Sequence, residues 1–74
     1  MLLRSQTVER RARWFEQAGI KPLDALHLAS AEHAEANYFC TCDDKLLKQA
    51  KRITDLKTRA VSPLELIQEL ENDN

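Results

Sequence analysis

Glycine occurs once in this chain, at Gly19, and proline twice, at Pro22 and Pro63. That scarcity leaves no low-complexity linker, which would be rich in such residues. No run of about 18 apolar residues is present, the length a membrane-spanning helix needs. Met1, Leu2, Leu3 and Arg4 make too short a stretch for the apolar region of a signal peptide. A soluble, cytoplasmic protein with no membrane partner is therefore expected. Cysteine is confined to Cys40 and Cys42. Two apart in a strand, they would point to opposite faces and could not pair, and a lone C-x-C falls short of the four ligands of a structural zinc site. A dominant charge sign is also missing: a net charge of -1 argues neither for nucleic acid nor for an acidic partner. No G-x-x-x-x-G-K-[ST], G-x-S-x-G or H-E-x-x-H pattern occurs, which removes the common NTPase, serine-hydrolase and zinc-protease readings.

What is present is a composition able to fold. Of the 74 residues, 43% are hydrophobic and 31% charged, so there is enough apolar surface to offset ordering entropy. The length allows one small domain or a piece of one. Charge is uneven along it. Arg4, Arg10, Arg11 and Arg13 cluster early, Lys45, Lys48, Lys51 and Arg52 form a second basic run, and acids collect from Glu65 onward. Each basic run reads either as a solvated helix face or as generic phosphate contacts.

Val8, Ala12, Phe15 and Ala18 recur at helical steps, predicting a helix over residues 7–18 that Gly19 ends. Pro22 suits the first turn of the next helix, expected over 22–37 and, with its wide band of Leu and Ala, buried on most sides. Residues 38–41 form a β-prone run, and Leu46, Leu47, Ala50 and Ile53 at helical spacing follow it. Residues 59–61 are a weaker strand. Ser62-Pro63-Leu64-Glu65 is a capping box opening a last helix to about Leu70, with a frayed tail over 71–74. The order is helix, helix, strand, helix, strand, helix: an α/β fold with short parallel strands and flanking helices. Two parallel strands make a marginal sheet, which already suggests that covering surface is missing.

Ligands of open α/β sheets bind beyond the carboxyl ends of the strands, which makes Asp43 and Asp44 candidates. One of them also suits the cap of the following helix. Asp24 lies in the first turn of the second helix, where the helix dipole favours a carboxylate. Carboxylates that converge repel each other unless a divalent cation lies between them, and Mg²⁺ commonly uses one or two of them together with substrate phosphate. Such a site suits phosphodiester hydrolysis. His27, one turn after Asp24, reads as a ligand, a proton donor or, more ordinarily, a structural hydrogen-bond donor, and His33 as exposed.

Lys21-Pro22-Leu23-Asp24-Ala25-Leu26-His27-Leu28-Ala29-Ser30-Ala31, then Tyr38-Phe39-Cys40-Thr41-Cys42-Asp43-Asp44-Lys45-Leu46-Leu47, resembles the second half of PIN domains. Val61-Ser62-Pro63-Leu64-Glu65-Leu66-Ile67 looks like the family's last strand and closing helix. Each motif alone is weak; their order and spacing together are fairly specific. The resemblance implies a mostly parallel sheet flanked by helices and an RNA-cleaving, Mg²⁺- or Mn²⁺-dependent endoribonuclease, as in the VapC-like toxins of bacterial toxin–antitoxin pairs. It matches Asp24 to the acidic residue of the D-A-x-x-x-A helix and Asp43 to the aspartate of T-x-D. Thr41 matches the hydroxyl that orients site groups, and Asp44 is a second-choice metal ligand.

The family's opening strand and early acidic residues have no counterpart, and neither Glu9 nor Glu16 matches them in context. The chain thus reads as a single, truncated PIN-like domain over 1–74 whose activity alone stays open. Its partners would be RNA, an antitoxin protein or a second copy paired through an open sheet edge. The alternatives are a non-catalytic interaction or dimerisation module, or a degraded remnant of a PIN gene.

Overall fold

The computed structural model describes residues 6–72. Its elements are α1 (Gln6–Gln17), α2 (Pro22–His33), β1 (Tyr38–Cys40), α3 (Asp44–Lys51), β2 (Arg59–Val61) and α4 (Pro63–Asn72), in the expected order. The strands are parallel, with Tyr38 opposite Arg59 and Cys40 opposite Val61. The ladder runs one bond further at each end, Arg59 N–H donating to the Asn37 carbonyl and Thr41 N–H to that of Val61.

Val8, Ala12 and Phe15 of α1 are buried against Ala25, Leu28 and Ala29 of α2. Leu46 and Ala50 from α3, with Ala60 from β2, complete the core. Ala18, expected on the buried face, is exposed, because the helix stops one residue earlier and the chain turns. Ile20 takes its place. Gly19 adopts φ 104°, its N–H donating to Glu16 O and Ile20 N–H to Phe15 O, a Schellman turn that folds Ile20 back onto Phe15.

The same turn ends α2 four residues before the predicted 37. Glu35, at φ 57°, occupies the left-handed position, and Ala36 N–H donates to Ala31 O. No glycine marks the stop, so periodicity alone ran past it. Nor is α2 buried on most sides. It buries Ala25, Leu28 and Ala29, whereas Leu23 is 64% exposed and Leu26 only partly covered. The apolar band of α2 is wider than the surface α1 offers it.

One carboxylate ties three segments together. Glu32 of α2 accepts from Arg11 Nε at 2.8 Å and Nη2 at 3.1 Å, and its Oε2 also accepts from Lys57 N–H at 2.9 Å. Arg11 reaches Asp55 as well and lies over Phe15 and Trp14, 4.5 and 4.8 Å from the ring centroids. The Glu32 carboxylate, then that of Asp55, holds the Arg11 pKa above its ordinary value, and the same bond holds Asp55 below the usual carboxylate range. At the start of α4 the capping box forms as predicted: Glu65 N–H donates to Ser62 Oγ and Ser62 N–H to Glu65 Oε1. That helix continues to Asn72, past the expected end at Leu70, while 73–74 lie outside the described residues. Among the described residues no helix is long and apolar enough to cross a membrane.

Candidate functional site

β1 delivers the chain to a tight turn before α3. The Thr41 hydroxyl accepts from Asp43 N–H at 3.1 Å, and Asp43 Oδ1 accepts from Lys45 N–H at 2.9 Å and Leu46 N–H at 3.2 Å. Asp43 is therefore the N-cap of α3. Both amides use one oxygen, so the cap leaves Oδ2 without a protein donor among the described residues. Capping and metal binding are thus compatible roles for the same side chain. Thr41 acts on Asp43 through the backbone, fixing the turn that aims it.

Asp24, partly buried in the first turn of α2, faces the same hollow as Asp43. The hollow has a volume of about 10 Å³, roughly what one water-sized group occupies. Gly19, Lys21, Lys45, Leu46 and Gln49 complete its lining. Two aspartates from sequence-distant helix starts thus line one hollow, each at a helix start where the dipole favours a carboxylate. Asp44 is the first residue of α3, exposed and outside this lining.

Two features of the hollow were not read from the sequence. Lys21 lines it beside Asp24, and Lys45, read from the sequence only as part of a basic run, lines it beside Asp43. Gln49 Nε2 donates to Gly19 O at 2.8 Å, pinning α3 to the turn that launches α2. That bond spans thirty positions of sequence, and no local sequence signal announces it.

His27 is exposed, so the structural donor role expected for it inside an apolar helix does not apply; His33 is exposed as expected. Cys40 and Cys42 are free thiols at the surface. Among the described residues no three His, Cys, Asp or Glu side chains gather as a metal-holding group. Two carboxylates with hard oxygen donors nevertheless fit an ion such as Mg²⁺, which keeps several waters and takes substrate phosphate as further ligands.

The aspartates lie beyond the end of a parallel strand, beside the start of a crossover helix, where open α/β sheets place their ligands. Residues 2–53 match the family model of the PIN domain, so the chain belongs to the PIN domain family. The match spans α1, α2, β1 and α3, with both aspartates, and stops before β2 and α4. It relates the chain to PIN-family nucleases, which as a family bind RNA and generally depend on divalent metal. No curated protein and no solved structure matches it.

Proposed function

We propose that this chain supplies Asp24 and Asp43 to a Mg²⁺- or Mn²⁺-dependent site that hydrolyses RNA phosphodiester bonds. That these two aspartates line one small hollow carries the reading. Asp24 and Asp43 Oδ2 would hold the ion, with Asp44 close enough in sequence to join when substrate or further chain shifts the turn. Thr41 keeps Asp43 in register. When bound, the ion supplies charge neutralisation at the scissile phosphate and a more acidic water. The chain's own cations lining the hollow, Lys21 and Lys45, would meet the approaching phosphate.

We further assign it to the toxin-type endoribonucleases, acting in the cytoplasm with an antitoxin protein as partner. Support comes from the motif resemblance, from free surface thiols suited to a reducing compartment, and from apolar side chains at the surface. Leu64, Ile67 and Leu70 along α4 are 66%, 54% and 57% exposed. The same stripe favours a second reading, a non-catalytic interaction module in which Asp43 is only a cap.

The test is cleavage of a single-stranded oligoribonucleotide by the purified chain across a Mn²⁺ titration, beside the Asp24→Asn/Asp43→Asn variant. Metal-dependent cleavage that disappears in the variant is expected. A folded chain that leaves RNA intact at every metal concentration overturns hydrolysis by this chain and supports the interaction module.

A further inference from the structure

We infer that RNA is held along α3, its backbone running from the Asp24/Asp43 hollow over Lys45, Lys48 and Lys51 to a groove at the opposite end of the strands. This rests on the ribonuclease reading of the hollow. Lys45, Lys48 and Lys51 recur every three residues and Arg52 flanks them, so they share one face of the helix. All four are exposed, opposite the face that carries the core residues Leu46 and Ala50. From Lys45 to Lys51 the helix rises about 9 Å.

Each end of the stripe opens on a concave feature. Lys45 lines the hollow with the two aspartates. Lys51 lines a groove of about 570 Å³ together with Asn37, Lys57, Thr58, Arg59 and Glu65. The groove flanks the start of β2, and α3 runs back along the strand pair to reach it. Its cations are partly engaged: Lys51 pairs with Glu65 at 2.6 Å and Arg59 with Glu69 at 2.7 Å, both at the surface. Lys45, Lys48 and Arg52 form no ion pair among the described residues, while Lys57 lies in the field of Asp55. A chain with a net charge of -1 therefore carries unpaired positive charge at Lys45, Lys48 and Arg52, on a line that the paired Lys51 continues to the groove.

A polyanion is the occupant that such a line recognises. At the Asp24/Asp43 hollow either polyanion needs a divalent ion beside it, but only a phosphodiester is the substrate that the ribonuclease reading places there. That asymmetry favours RNA over an acidic protein.

The experiment measures binding of a fluorescent single-stranded oligoribonucleotide to the full chain by anisotropy, in EDTA so that nothing is cleaved, over a range of salt. Each lost phosphate contact lowers the slope of log K against log salt by about 0.7. Lys45→Gln/Lys48→Gln should therefore lose roughly 1.4 of slope and weaken binding roughly 25-fold at about 0.1 M salt. Lys45→Arg/Lys48→Arg should retain the slope, and Arg10→Gln/Arg13→Gln on α1 should leave it unchanged, with circular dichroism confirming that each variant folds. An unchanged slope in the glutamine variant overturns the path, as does absence of RNA binding at low salt or equal competition by polyglutamate. Asp24→Asn/Asp43→Asn should still bind RNA in EDTA. If no chain cleaves but the lysine dependence holds, hydrolysis falls and the RNA path stands.

Discussion

Replacing Glu32 by Gln removes the charge at the junction of α1, α2 and the segment before β2 while keeping the side chain's shape. The Glu32 side chain is 7% exposed and that of Arg11 22%. The carboxylate accepts three bonds, from Arg11 Nε, Arg11 Nη2 and Lys57 N–H. An amide presents a donor to at least one of these donors. Breaking a fully buried pair from one side costs about 3–5 kcal/mol. Arg11 keeps Asp55 and some solvent, so we expect about 2–3 kcal/mol for Glu32→Gln. Urea unfolding at neutral pH reads this directly. With a slope of about 1 kcal/mol per molar urea for a chain this short, the midpoint should fall by about 2–3 M. A stability of roughly 4–11 kcal/mol, from about 0.05–0.15 per residue, leaves the variant folded enough to measure. A double-mutant cycle with Arg11→Gln should return a coupling above about 1 kcal/mol. A loss below about 0.5 kcal/mol would refute the clasp, since it would mean water satisfies these groups as well as the protein does.

Asn caps a helix as well as Asp does, so Asp43→Asn should leave the urea midpoint nearly unchanged, whereas Asp43→Ala should cost about 1 kcal/mol; both should weaken Mn²⁺ binding, which separates cap from ligand. Glu35→Gly relieves the left-handed backbone at φ 57° and should stabilise by about 0.5–1 kcal/mol, read from thermal unfolding, the larger strain relief being offset by the freer unfolded chain. Lys51, then the Ser62 backbone, holds the Glu65 carboxyl below the usual carboxylate range. Its contribution is therefore fully present above an ordinary carboxylate pKa and lost as pH falls through the lowered folded value. Lys51→Gln should flatten that acid-side decline, and urea midpoints taken from neutral to acidic pH check it.

Local chemistry was readable wherever one residue type enforces it. Gly19, Pro22 and the Ser62–Glu65 box set their boundaries because backbone conformation and capping depend on residues within one turn. The end of α2 was not readable, since Glu35 adopts a conformation that its side chain does not favour. The exposed side of α2 was misjudged because the width of an apolar band tells what a helix can bury, not what surface the chain provides. At the site, Asp24 and Asp43 were singled out by their positions at helix starts and by motif. The hollow they share is lined also by Gln49 and Gly19, which bond across thirty positions of sequence, and the Glu32 clasp depends on Arg11 twenty-one positions away. Contacts of that range follow from packing and leave no periodic trace.

The central claim is that Asp24 and Asp43 jointly hold a divalent ion. Its most direct test is Mn²⁺-induced line broadening in the amide spectrum of the ¹⁵N-labelled chain. We expect substoichiometric Mn²⁺ to broaden Asp24 and the run Asp43, Asp44 and Lys45 first, and Asp24→Asn/Asp43→Asn to abolish that pattern with the fold intact. Broadening centred instead on the acids of α4, or unchanged in the double variant, would contradict the claim.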